Sequence, residues 1–175
     1  MGHDLNTVCH FKVCVDDVSK ALKISPESVK KIMKDGRHIS KLTEEWSGKL
    51  YGLKVKDSHD GDGYIIHPNE QIECRTLTNN VCFQRSKNRG VGRTCTQQDV
   101  IDNVKSKSAY IVFKHNDMHS KHNQYIHFSA YPLSQQFLLG LYKQNLLTIS
   151  GISSEKFVKY VVPQLDHLKN VNTYL

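Results

Sequence analysis

The sequence predicts a mixed α/β domain, a central sheet flanked by helices. Three observations predict it. AYIVF (109–113) and QYIHFSAY (124–131) are apolar runs rich in β-branched and aromatic residues, the pattern of buried strands. Gly63–His67 and Gln71–Leu77 are strand-like runs separated by the turn signal Pro68-Asn69. Before and after these strands, apolar residues recur at three- to four-residue spacing, the mark of amphipathic helices.

Residues 16–35 split into two helical runs. Val18, Ala21 and Leu22 share a face of the first. Ser25 is a good N-cap and Pro26 suits the first position of the second, whose buried stripe is Val29, Ile32 and Met33 and whose stop is Gly36. Ile39, Leu42, Trp46, Leu50 and Leu53 predict a third helix over 40–50. Residues 79–95 form a polar, basic loop, and Thr96 to Asp99 open a short helix with Val100, Ile101 and Val104 inward. Two closing helices are expected over 134–145 and 154–169. HFKVCV (10–15) reads as a strand.

With 175 residues there is chain enough for one well-packed domain. No run approaches the roughly 18 apolar residues of a membrane span. The N-terminus lacks a basic region followed by an apolar one, and Asn6 stands where a myristoylation signal needs Ser or Thr. The five cysteines are odd in number and contain no CxxC pair, which argues against a disulfide framework or a structural zinc site and for a reducing cytoplasm. A net charge of +7 favours a polyanionic partner, because Lys and Arg that neutralise phosphates release counterions.

The chemistry concentrates in GDGYIIHPNEQIECRTL (61–77). Residues two apart on a strand face the same side, so Glu73 and Arg75 project together while Cys74 points into the core. Strand pairing through Pro68-Asn69 brings Asp62 toward Glu73. Two converging carboxylates suit a hard cation such as Mg²⁺, which offsets charge on a phosphate and acidifies a bound water. The neighbouring cation stabilises developing charge. Asp60 competes with Asp62, which lies closer to the strand.

Asp62 followed by Glu73 in IECR (72–75) resembles the PD-(D/E)XK nuclease superfamily, which includes type II restriction enzymes and Holliday-junction resolvases. The resemblance covers roughly residues 38–131. It implies a Mg²⁺-dependent endonuclease cutting duplex DNA as a homodimer, with Asp62, Glu73 and Cys74 as the metal site and Arg75 in the place of the usual Lys. It also implies an acid on the preceding helix, Glu45. Arg75 departs from the pattern: a permanently charged guanidinium cannot take a proton from water. The implied organisation is an N-terminal segment, 1–37, and a nuclease-like α/β region, 38–175, in one compact unit. Two alternatives stay open: a structure-selective resolvase sharing the same site, and a non-catalytic regulator.

Further residues suit DNA contact. Arg85, Lys87, Arg89 and Arg93 lie in a loop with Gly90 and Gly92, where glycine lets the backbone approach a phosphate. VSKALKISPESVKKI (18–32) resembles a helix-turn-helix, which would expose Glu27, Ser28, Lys30 and Lys31, although Lys23 replaces the usual turn glycine. KHNDMHSKHN (114–123) carries His115, His119 and His122. A turn between two strands explains its polarity without zinc, and His115 or His119 would donate to phosphate or a base edge. Cys82 and Cys95 flank the basic loop, but nothing pairs them with an ordered His.

Overall fold

The computed structural model describes residues 2–56, 64–67, 70–85, 92–116 and 124–175. Among them the chain runs β1 (Thr7–Cys14), α1 (Val15–Leu22), α2 (Pro26–Lys34), α3 (Gly36–Tyr51), β2 (Lys54–Lys56), β3 (Tyr64–His67), β4 (Glu70–Leu77), β5 (Asn80–Val81), α4 (Gln97–Lys105), β6 (Ala109–Asn116), β7 (Tyr125–Ser134), α5 (Gln135–Lys143), β8 (Ile152–Ser153), α6 (Ser154–Lys156) and β9 (Lys169–Asn172). The fold is mixed α/β, as the sequence predicts. Seven strands form one sheet in the order β2-β3-β4-β6-β7-β1-β9, and β5 pairs with β8 in a small ribbon.

The sheet has two halves. β2, β3 and β4 make an antiparallel meander, with Ile65 opposite Ile72 and His67 opposite Glu70. The chain then crosses over through α4, and β6 returns parallel to β4, placing Glu73 opposite Tyr110 and Arg75 opposite Val112. β6, β7 and β1 continue antiparallel, and β9 joins β1 in parallel. Tyr110, Ile111, Val112 and Phe113 are all fully buried, because β6 is covered on both faces. Pro132 is tolerated in β7 because it stands beyond Ala130, the last residue of β7 that pairs with β1, so no ladder bond is asked of it on that side.

One face of the sheet packs on α1–α3. Its core is Cys9, Phe11, Met33, Ile39, Trp46, Leu50, Ile72, Ile111, Phe113 and Phe128. Trp46 lies 5.2 Å from Phe11 and 5.1 Å from Phe128 between ring centroids, the tilted and edge-on contacts aromatic pairs prefer. The other face packs on α4, α5 and the C-terminal turns through Leu77, Phe83, Val104, Tyr110, Leu133, Leu138 and Phe157.

Local chemistry accounts for most helix ends. Ser25 caps α2, accepting from the Ser28 N–H at 3.1 Å. Asp35 caps α3, accepting from the Arg37 N–H at 2.9 Å. Thr96 and Asp99 form a reciprocal capping box on α4. Gly52 closes α3 at φ 65°, a left-handed conformation that costs glycine nothing. Lys23 closes α1 in the same conformation, at φ 55°, where the turn would ordinarily take glycine.

Several expectations are corrected. The helix expected over 154–169 is instead a single turn, Ser154–Lys156, a π-helical turn, Phe157–Val161, and a 3-10 turn, Val162–Leu165, followed by β9. Pro163 lacks a donor and crowds the preceding turn, so a regular ladder cannot pass it. The 37/38 boundary falls in the first turn of α3, and the first 37 residues are not a separate helical segment, since β1 pairs with β7 and β9 inside the sheet. Leu22 does not join a buried face of α1; it is 59% exposed. In α3 the buried stripe includes Thr43 and Ser47, whereas Leu42 lies toward solvent. The segment expected as a polar loop is pinned at Val81 and Phe83, both buried. No helix among the described residues is long and apolar enough to cross a membrane.

Candidate functional site

Glu73 and Arg75 occupy alternate positions of β4, so the pleat carries both toward the side covered by α4. They touch: Arg75 Nη2 forms an ion pair with Glu73 Oε1. Both side chains are largely withdrawn from water, at 12% and 14% exposure. The same guanidinium nitrogen donates to the Gln84 carbonyl at 3.0 Å. Arg75 Nε is buried and has no hydrogen-bond partner among the described residues. Such a nitrogen is costly unless another group reaches it.

The arginine is thus clamped between its own strand and the segment leaving β5. That segment is held independently: Phe83 stacks edge-on against Tyr110 at 5.1 Å, the Phe83 carbonyl accepts from Asn103 Nδ2 at 2.6 Å, and the Gln84 amide donates to the Ile149 carbonyl. Asn103 is 3% exposed, so α4 fixes this segment from inside the core.

Cys74 faces the opposite way. Its sulfur lies 2.9 Å from Ser47 Oγ, in the interface with α3. Burial pushes the thiol up to about 12, and the nearby carboxylates of Glu44 and Glu73 push in the same direction. A protonated thiol on the far side of the sheet does not share a metal site with the Glu73 side chain, and sulfur is a poor donor for Mg²⁺. The inward-facing side chain is the one the strand alternation predicts.

Glu45 is the acid that the resemblance implies on the preceding helix. It is exposed on α3, whereas its neighbour Glu44 is half-buried and lies close enough to Cys74 to influence its thiol. The buried stripe Thr43, Trp46, Ser47 and Leu50 sets the phase of the helix. Glu44 borders that stripe and Glu45 is turned about 100° past it. Sequence reasoning missed Glu44 because the stripe was read through Leu42, which is exposed.

Glu44 and Cys74 line a cleft of about 860 Å³ that runs from the end of α2 across the C-terminal half of β4 to β5. Lys31, Lys34, Arg37, Ser40, Thr43, Arg75, Thr76, Asn79 and Asn80 also line it. Gly36 lets α3 approach its floor: a Cβ there would stand 3.0 Å from the Thr78 methyl and 3.2 Å from Thr76 Cβ.

The other expected contacts disperse. Ser28 is exposed but its hydroxyl accepts from Ser25 Oγ at 2.9 Å within the cap of α2. Lys30 is half-buried and Lys31 is exposed. Arg85 and Arg93 are exposed on either side of residues 86–91. His115 does not sit in a loop: it belongs to β6 and packs edge-on against Phe128 at 5.5 Å. Asp60, Asp62, Lys87, Arg89, His119 and His122 lie outside the described residues. Among the described residues no three His, Cys, Asp or Glu side chains converge as a metal group. Glu73 is the one carboxylate of the expected metal site among them, and Arg75 already engages it. These residues alone do not fit a hard cation, which would need a further oxygen.

No family model, no curated protein and no solved structure matches the chain.

Proposed function

We propose that the chain is a Mg²⁺-dependent endonuclease of the PD-(D/E)XK type that hydrolyses phosphodiester bonds in duplex DNA. One observation carries the reading. A helix, a three-strand meander, a crossover helix and a parallel strand follow one another as α3, β2–β4, α4 and β6, and the third meander strand presents Glu73 and Arg75 side by side. That order is the context the sequence resemblance calls for. The net charge of +7 supports a polyanionic substrate.

In this reading Asp62 supplies the oxygen that Glu73 lacks. The ion, when bound, would offset charge on the scissile phosphate and acidify a water. The chain's own groups divide the remaining work. Glu73, on a central strand with its backbone held in the ladder, presents a fixed carboxylate. Arg75 stays cationic at any working pH, so it stabilises charge developing on phosphate and takes no proton. Its orphaned Nε is a donor available to a phosphate oxygen once the side chain shifts. A homodimer belongs to the reading, since a two-fold protein matches a palindromic site. A four-way junction is the alternative substrate for the same residues.

The Glu73–Arg75 ion pair also favours a second reading, in which the pair is structural and the chain binds DNA without cutting it. Plasmid DNA incubated with the protein, with and without Mg²⁺, separates the two. Discrete fragments that need Mg²⁺ and vanish in Glu73→Gln are expected. Intact linear, supercoiled and junction DNA in Mg²⁺ and Mn²⁺ would leave the non-catalytic reading.

A further inference from the structure

We infer that the cleft between the α2–α3 junction and β4 is a track for the phosphate backbone of duplex DNA, gripped by Lys31, Lys34 and Arg37. None of these three belongs to the basic loop, and Lys34 and Arg37 lie outside the residues a helix-turn-helix would expose. They come together because α2 ends where α3 begins. The last turn of α2 delivers Lys31 and Lys34, and the first turn of α3 delivers Arg37 to the same rim.

The chemistry of the cleft selects its occupant. Its described lining holds four cations, Lys31, Lys34, Arg37 and Arg75, against two acids, Asp35 and Glu44. Both acids are engaged locally. Asp35 caps α3 and pairs with Arg37 at 3.1 Å, and Glu44 pairs with Lys41 at 3.2 Å. The floor is made of hydroxyls and amides, among them Thr76, Asn79 and Asn80, and large apolar side chains are absent from the described lining. Small-molecule pockets are mostly apolar and enclosing. An open polar trough with a cationic rim suits a chain of phosphates, where positioning contacts come from Lys, Arg, hydroxyl and amide groups.

The cleft also lies along the strand that matters to the proposed reaction. Cys74, Arg75 and Thr76 line it, and Glu73 is the preceding residue of β4. The Glu73 carboxylate points to the opposite face of β4, so a backbone seated in the cleft meets the candidate site through Arg75, which lines the cleft and pairs with Glu73. The identity of the polyanion as duplex DNA rests on the nuclease reading; the position of the track rests on the cleft alone.

The test is salt-dependent binding of the full chain to a fluorescein-labelled duplex of about 20 base pairs, in EDTA so that cleavage plays no part. Lys31→Ala/Lys34→Ala/Arg37→Ala is compared with Lys143→Ala/Lys156→Ala/Lys159→Ala, which removes the same charge from exposed positions on α5 and the C-terminal turns. The cleft triple is expected to weaken binding at least about tenfold and to lower the slope of log K against log salt by about 2 to 3, at roughly 0.9 for each phosphate no longer neutralised. The control triple should change the slope by less than about 1. Because Arg37 also contacts the α3 cap, Lys31→Ala/Lys34→Ala is run beside the triple and should lower the slope by about 2. Equal effects of the two triples, or no effect of either cleft variant, would overturn the inference. Binding that tracks the cleft while plasmid stays intact under Mg²⁺ would uphold the track and reject the nuclease.

Discussion

Arg75 reaches both Glu73, two residues earlier on its own strand, and the carbonyl of Gln84 beyond the next turn, and in doing so fastens β4 to the segment that leaves β5. The pair is largely buried, yet one guanidinium nitrogen is left without a partner among the described residues. An ion pair of that kind is expensive to break from one side. Arg75→Met should leave the Glu73 carboxylate without its cation, and Glu73→Gln should leave the cation facing a neutral amide. Each is therefore expected to cost about 3–5 kcal/mol, whereas Glu73→Gln/Arg75→Met together should cost less than the two single changes added. Urea denaturation of the three variants checks this; simple additivity would mean that the two side chains are not coupled.

Asn103 ties α4 to the same segment through the Phe83 carbonyl. Asn103→Ala leaves that carbonyl buried and unpaired, at a cost of about 1–3 kcal/mol. Hydrogen exchange should also show residues near 83 losing protection ahead of global unfolding. Uniform loss across the sheet would contradict a local tether.

The Cys74 thiol is held far above the ordinary value near 9.0, at about 12. The unfolded chain therefore loses this proton before the folded one does. The contribution to stability is complete below about pH 9, falls as pH rises through the window to about 12, and is gone above it. Cys74→Ala should flatten the decline in stability between pH 9 and 11, measured by denaturant midpoint. In the native protein at pH 8, Cys74 should react with thiol reagents far more slowly than an ordinary thiol, because little of it is thiolate. Prompt labelling of Cys74 would contradict its placement against Ser47.

Asp35 shows the opposite sign. The Arg37 side chain, and then its backbone N–H, hold the carboxyl down at about 2. Its contribution is present above about pH 4 and lost as pH falls toward 2. Asp35→Asn keeps the capping oxygen and removes the charge, so it should abolish this acid dependence at low salt while leaving α3 intact by circular dichroism.

Lys23 adopts a left-handed backbone at φ 55°, which costs a side-chain-bearing residue about 1 kcal/mol relative to glycine. Lys23→Gly should stabilise the protein by up to about 1 kcal/mol, less the entropy glycine adds to the unfolded chain. By contrast Trp46→Ala, which empties the aromatic cluster with Phe11 and Phe128, should cost about 3–5 kcal/mol. Thermal melts followed by circular dichroism read both.

Strands β1, β3, β4, β6 and β7, the caps at Ser25 and Thr96 and the pairing of β3 with β4 were legible in the sequence, because each is written within a few residues: a two-residue alternation, a side-chain oxygen at a helix start, a turn dipeptide. The same-face placement of Glu73 and Arg75 followed from the pleat alone. What a local pattern could not hold was decided by partners distant in the chain. Leu42 fits the spacing of α3 as well as Thr43 does, and the sheet packed beneath it chose Thr43, Ser47 and, at the border, Glu44. KNVN at 169–172 carries no strand signal of its own and is a strand because β1 offers it an edge. The cleft exists only where the end of α2, the start of α3 and the far end of β4 meet. Periods and caps are short-range quantities, whereas the rotation of a helix on a sheet and the pairing of an edge are settled by non-local burial, which a one-dimensional pattern does not contain.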